Sequence, residues 1–270
     1  MPSFLEITPD KLNRIIGTPN APTIIDVRND EDFATDPRLI PGSVRRDYRT
    51  VTGWAQELNG PSIILCQKGQ KLGHGVAAYL RAAGKVAEVL EGGFEAWRES
   101  KAALVPDESL PPRDSRGRTL WVTRSRPKID RIACPWLIRR FVDPSAVFLF
   151  VPAAEVSSVA DRFNATPFDI EEVFWSHRGE LCTFDVMVEE FGLGTEPMLR
   201  LATIVRGADT SRPDLAPEVA GLLAASLGLS RMFNDDLEQL EAGMTLYDAF
   251  YRWCRDASDE THNWPNPRKG

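Results

Sequence analysis

At 270 residues the chain is long for one average domain and comfortable for two, and its 43% hydrophobic and 26% charged content excludes a disordered or fibrous protein. A net charge of −7 argues against sequence-independent binding to nucleic acid, which needs a basic face. No window approaches the apolar length that spans a bilayer, and Met1 to Thr8 has neither the basic start nor the apolar core of an export signal, so no membrane partner and a cytoplasmic location are expected.

The first half alternates short β-branched strands with helical patterns. Thr8 is a helix N-cap followed by Pro9 at the first helical position and by Leu12, Ile15 and Ile16 at helical spacing before Gly17. Strands are predicted at Thr23 to Val27, Ser62 to Cys66 and Ala87 to Leu90, and helices at Thr52 to Leu58, Leu72 to Ala83 and Gly93 to Ser100. That alternation predicts a parallel sheet covered on both faces, with reactive groups at the carboxyl ends of its strands. Asp26, Arg28 and Cys66 fall there.

Residues 106 to 118 are rich in Pro and charge, lack an apolar period and read as a linker between a first unit, 1–105, and a second, 119–270. The charge supports the division, because residues 119 to 270 hold 16 basic and 23 acidic side chains and so carry the whole −7. The second unit opens with a strand, Thr119 to Thr123, and then a helix over Pro135 to Val142 closed by Asp143-Pro144. Strands at Ala146 to Val151 and Val173 to Ser176 follow, then amphipathic helices at Thr183 to Phe191, Pro197 to Arg206, Pro217 to Leu227 and Asp235 to Arg255. A small sheet flanked by many helices is the expectation.

The four cysteines, Cys66, Cys134, Cys182 and Cys254, are far apart and form no Cys-x-x-Cys pair, so neither a disulfide framework nor a thiolate zinc site is indicated. Cys66 stands out by its flanks. A cysteine after an apolar strand is most often a small core residue, but a core cysteine needs no Gly69 and no Lys68 and Lys71 beside it. The loop amides, the positive end of the following helix and the two ammonium groups all favour a thiolate, or an added anionic sulfur. Gly73 and Gly75 at the helix entry permit close backbone approach.

Three further segments place the first 105 residues in a family. Thr23-Ile24-Ile25-Asp26-Val27-Arg28, Ile40-Pro41-Gly42-Ser43-Val44 and Val89-Leu90-Glu91-Gly92-Gly93-Phe94-Glu95-Ala96-Trp97, with the six-residue loop Cys66 to Lys71, resemble the rhodanese family. The resemblance implies that Cys66 takes sulfur from thiosulfate or a persulfide donor and passes it to a thiol acceptor, with no cofactor required. Similar dual-specificity phosphatases carry one more loop residue to seat phosphate. Arg28 is assigned to bracing the loop or Asp26, since its guanidinium is a fixed fork and a poor proton carrier. The sequence departs from the pattern at Arg38-Leu39, where many members have Gly-His, and at Leu72, where a hydroxyl residue is common.

In the second unit polar residues gather at element ends: Arg124, Arg126, Lys128, Asp130, Arg131 and Cys134, then His177 and Glu180, then Arg206 and Asp209. Pro135 at a helix start puts the positive dipole end near Asp130 and Arg131, which suits an anion; a His and carboxylate group, with His177 and Asp209 as ligands, instead suits a divalent metal. Cys134 and Cys182 lie in apolar-periodic segments where core packing is the commoner role, Asp130 also fits an N-cap and Asp209 a turn. His74 is placed to brace the Cys66 loop, and His262 lies in a polar tail. Arg126 to Phe141, His177 to Asp185 and Ile204 to Asp209 resemble three blocks of the chromate-resistance ChrB family in its carboxy-terminal domain. That resemblance implies a link to chromate or related oxyanion stress, by sensing, binding or assisting reduction. A repressor role is disfavoured, because the rhodanese-like unit takes the amino-terminal position and brings no basic recognition helix.

Overall fold

The computed structural model describes residues 5–260; His262 lies outside them. Its first half is built on a five-stranded, wholly parallel sheet of strands β1 (Glu6–Ile7), β2 (Thr23–Asp26), β4 (Ser43–Arg45), β5 (Ser62–Leu65) and β6 (Ala87–Leu90), in the spatial order β1-β6-β5-β2-β4. Helices α1 (Pro9–Ile15), α2 (Asp30–Thr35), α3 (Val51–Trp54), α4 (Lys71–Ala82) and α5 (Gly93–Glu99) are interleaved with the strands. The central strands read Thr-Ile-Ile-Asp and Ser-Ile-Ile-Leu because both of their faces are covered, which demands apolar residues at every position rather than at alternate ones. Their register sets Asp26 opposite Leu65, and the N–H of Val27 extends the ladder by donating to the Leu65 carbonyl at 2.8 Å. Asp26 and Cys66 therefore leave the sheet on the same edge.

Helix α1 starts as predicted, with Thr8 accepting from the Lys11 N–H and Pro9 in the first turn. The fold also contains short elements without a sequence period: β1, α2, β4, and a two-stranded antiparallel pairing of β3 (Arg38–Leu39) with β7 (Val105–Pro106). The segment predicted as a linker begins in that pairing. It continues through a 3₁₀ turn at Asp107–Ser109, and its Asp114 accepts from the amides of Arg116 and Arg118 and from the Arg118 guanidinium.

The second half carries a parallel three-stranded sheet of β8 (Leu120–Arg124), β9 (Val147–Val151) and β10 (Thr166–Pro167), in the order β10-β8-β9. Around it lie α6 (Asp130–Leu137), α7 (Val156–Phe163), α8 (Thr183–Glu190), α9 (Glu196–Asp209), α10 (Val219–Met232) and α11 (Asp236–Asp256). Val173 to Ser176 is not a strand: it contributes one bridge, Phe168 to Trp175. Helix α6 begins at Asp130, five residues before the predicted start, so Pro135 is interior and Cys134 sits mid-helix. The proline cannot donate to the Arg131 carbonyl, and after Leu137 the helix widens into a π-turn over Ile138–Val142.

One apolar cluster runs through both halves, from Ile7, Leu12 and Trp97 to Trp136, Phe184 and Tyr247. Phe141 is the joint. Its ring fills the space where a Cβ on Gly17 would be, and its carbonyl accepts from the Gly42 N–H at 2.6 Å.

Candidate functional site

Cys66 follows the last residue of β5, the strand between β6 and β2, and precedes the 12-residue α4. The loop between them is pinned by α5. Phe94 and Glu95 donate backbone N–H groups to the carbonyls of Cys66 and Gln67, each at 3.0 Å. This closeness explains two glycines of the sequence motif. Both Gly69 and Gly93 have positive φ, +61° in each case; a Cβ on Gly69 would lie 2.7 Å from the Leu90 carbonyl oxygen, and one on Gly93 would fall on the Cys66 carbonyl oxygen. Gly73, in the first turn of α4, clears the space beside the sulfur: a Cβ there would stand 3.4 Å from Cys66 Sγ.

The cysteine itself is 4% exposed and packs with Ile25, Val27, Trp54 and Val76. Its Sγ has a long contact of 3.9 Å to the Gln70 carbonyl. Lys68 and Lys71 are exposed on the outside of the loop, and no side-chain cap closes the amino end of α4. His74 points elsewhere, with Nε2 3.2 Å from Glu6 Oε1.

Asp26 and Arg28 are 1% and 3% exposed and bond to each other. Arg28 Nε and an Nη group donate to Asp26 Oδ2 at 2.8 and 2.7 Å, its other Nη donates to the Asp36 carbonyl at 3.0 Å, and its guanidinium lies 3.7 Å from the centre of the Phe94 ring. Among the described residues none of their hydrogen bonds reaches the Cys66–Lys71 loop; they hold α5, which in turn pins the loop. A cleft of about 250 Å³ beside β4 is lined by Arg45, Arg46 and Arg49 together with Asp30 and Asp47; Arg45 pairs with Asp30 at 3.0 Å and its Nε has no hydrogen-bond partner among the described residues.

A second cluster lies where β8 ends. Asp130 opens α6, Asp169 follows β10, His177 precedes α8 and Asp209 ends α9. His177 Nε2 lies 3.2 Å from Asp209 Oδ2, 3.5 Å from Asp169 Oδ1 and 3.7 Å from Asp130 Oδ2. Asp130 is wholly buried; its Oδ2 accepts from the Phe184 N–H at 3.3 Å and its Oδ1 has no hydrogen-bond partner among the described residues. Asp169 accepts from the Thr183 hydroxyl at 3.0 Å and pairs with Arg131 at 3.2 Å and Arg124 at 3.4 Å. The backbone is strained beside these groups, with φ +35° at Ile129 and +52° at Asp169.

The environment drives the titrating groups apart. Asp169 raises His177 to about 9, aided by Asp130 and Asp209 against the opposing effect of burial. Burial and then the neighbouring carboxylates push Asp130 well above the usual carboxylate range, and the same causes raise Asp209. Burial also acts upward on Asp169, but hydrogen bonds from His177 and Thr183 and the two guanidinium groups hold it below its ordinary value.

Of the residues singled out in the sequence, Asp130, Arg131, His177 and Asp209 meet here. Cys134 and Arg206 stand to one side. Cys134 is 0% exposed one turn along α6, and burial, then Asp130, keeps its thiol protonated. Arg206 is a turn before Asp209 and donates instead to Asp185 Oδ1 at 2.9 Å, whose Oδ2 caps α8 by accepting from the Cys182 N–H. Asp169 was missed by sequence reading. It lies in an aperiodic stretch, and only the arginines ahead of it hinted at an acidic partner.

Residues 121–254 match the family model described as the ChrB C-terminal domain, and residues 8–100 match that of the rhodanese-like domain. The chain is similar to Protein ChrB of Cupriavidus metallidurans (strain CH34), with 35% identity over 170 residues, covering 57% of this chain and 50% of that protein. It thus spans half the length of that relative. Similar solved structures include a rhodanese-like domain protein from Staphylococcus aureus, at 31% identity over 34% of this chain and 89% of that one, with a TM-score of 0.31. Another is a thiosulfate sulfurtransferase from Pseudomonas aeruginosa, at 24% identity over 40% of this chain and 21% of that one, with a TM-score of 0.35. The chain joins a rhodanese-like domain, residues 8–100, to a ChrB C-terminal domain, residues 121–254.

Proposed function

We infer that this protein is a cytoplasmic sulfurtransferase that carries sulfane sulfur on Cys66, acting in resistance to chromate or a related oxyanion. The observation that carries the reading is the glycine-built loop: Gly69 and Gly93 let the backbone of the Cys66 loop close against the start of α5, and Gly73 leaves room beside the sulfur at the opening of α4. In the reaction the Cys66 thiolate attacks the outer sulfur of thiosulfate, the S–S bond breaks and sulfite leaves with the bonding electron pair. Cys66 then holds a persulfide anion at the opening of α4, where the helix end favours negative charge. An acceptor thiolate attacks the outer sulfur and Cys66 leaves as thiolate. No cofactor enters these steps. The test is the mass of the intact protein after thiosulfate treatment: a gain of one sulfur atom that Cys66→Ser lacks is expected, and no gain in the wild type removes the proposal.

A second reading belongs to the other half. The cluster around His177, flanked by Arg124 and Arg131, supports a non-catalytic accessory role in which an oxyanion such as chromate, or a metal, binds there. Calorimetric titration with chromate, sulfate and Zn²⁺ tests it, with weaker binding expected for His177→Ala. Identical isotherms in wild type and variant would take His177 out of the site.

A further inference from the structure

We propose that Asp130, His177 and Asp209 form a mononuclear divalent-cation site with one side open to solvent. The inference deepens the second reading above and is independent of Cys66. Each of the three residues offers one ligand atom, and the three atoms lie within 4.8 Å of one another. Two of the separations are sharper, 3.2 Å from His177 Nε2 to Asp209 Oδ2 and 3.7 Å to Asp130 Oδ2. Donors held at about 2.0–2.2 Å from a tetrahedral ion stand about 3.4 Å apart. The two separations from His177 bracket that value, and the third, between the carboxylates, lies within 4.8 Å, so a cation can enter by drawing the two carboxylates together.

The pairings already present do not account for the geometry. One imidazole N–H can serve one carboxylate well, yet three crowd around Nε2 at 3.2, 3.5 and 3.7 Å. More telling is Asp130, a carboxylate with 0% exposure whose Oδ1 has no hydrogen-bond partner among the described residues. Burying an acceptor unpaired is costly, and a group of this kind calls for a ligand. A cation among these donors would set a positive charge beside the buried Asp130 carboxylate and replace the contacts that Asp130 and Asp209 make to Nε2 with direct ligation.

The remaining groups separate ligation from support. Asp169 is engaged by the Thr183 hydroxyl and by Arg131, so it lies beside the three donors and is not counted among them. Two carboxylate oxygens with one imidazole nitrogen suit a borderline ion such as Zn²⁺, Mn²⁺ or Fe²⁺ rather than a thiophilic one. The histidine side chain is 41% exposed and that of Asp209 20%. The outer side therefore keeps a coordination position for water or a small anion, as in sites that bind an exogenous ligand.

The experiment uses the full chain, stripped of metal, titrated separately with Zn²⁺ and Mn²⁺ by calorimetry and checked by elemental analysis after desalting. Wild type and Cys66→Ser should each bind one equivalent of at least one of the ions, with a rise in melting temperature that a chelator reverses. Asp209→Asn and His177→Ala should bind at least about tenfold more weakly, since loss of mere outer-shell partners already costs that much; the near-isosteric Asp209→Asn guards against a variant that fails to fold. Binding lost in Cys66→Ser, or unchanged in both cluster variants, overturns the proposal. A sulfate titration of the same samples separates the two failures: sulfate binding without metal binding overturns the cation site alone, and binding of neither overturns the second reading with it.

Discussion

A single methyl group tests the sulfur cradle. Gly73 has an ordinary helical backbone, and a Cβ there would meet Val89 Cγ1 at 3.3 Å and Cys66 Sγ at 3.4 Å, tight contacts that the neighbours absorb with small shifts. Gly73→Ala also gains helix propensity of up to about 1 kcal/mol, so its fold should survive. The space lost is that of a second sulfur on Cys66. We expect the variant to melt within a few degrees of wild type while persulfide formation from thiosulfate falls at least about tenfold, roughly 1.4 kcal/mol, measured by intact mass against time. Equal rates in the two proteins would mean that the added sulfur points elsewhere. At this scale the loop geometry of the first half was legible because it is local: Cys66 to Lys71 is one unbroken stretch, and Gly69 and Gly93 are required by backbone contacts that leave no room for a side chain. The second site was half legible. Its four residues arrive from four separate segments, and Asp169 became a neighbour of His177 only through the packing of β10 against β8.

Elements followed the sequence wherever their apolar period was long. Helices α4, α8, α9 and α11 and strands β2, β5 and β6 lie within a few residues of their predicted limits, since each buries a continuous face. The errors have physical causes. Pro135 signals a helix start, yet the packing of α6 against α8 and α11 outweighs its missing hydrogen bond and extends the helix back to Asp130. That contact makes a prediction. Gly243 on α11 faces Ile132 on α6 with no room for a side chain, its Cβ position being 2.5 Å from Ile132 Cγ2. Gly243→Ala should therefore destabilise the protein by about 1–3 kcal/mol through overpacking, although alanine is the better helix former. Because Ile132 lies two residues from Asp130, the same variant should bind Zn²⁺ less tightly. Urea denaturation and calorimetry read the two effects, and a stabilised variant would show that α11 is free to move away.

Across the molecule, the composition break at residues 106–118 separates two sheets, and each half has a smaller cluster of its own, the first holding Cys66, but the largest buried cluster runs through both. Trp97 and Leu12 of the first half belong to the same buried cluster as Trp136 and Phe184 of the second, and Arg255 on α11 reaches the Ile16 carbonyl at 3.5 Å. Phe141 concentrates this dependence, for its ring packs edge-on to Trp136 and Tyr251 while covering Gly17. Truncating a buried phenylalanine costs about 3–5 kcal/mol. If the halves were merely tethered, Phe141→Ala would lower the melting of residues 119–260 and leave the cradle around Cys66 intact. A shared core demands more. Calorimetry of the wild type should show one transition, and in Phe141→Ala that transition should move down as a unit, with Cys66 becoming open to alkylation at the same temperature at which the helical signal is lost. Two separated transitions, with Cys66 protected through the first, would show that the rhodanese-like half stands alone.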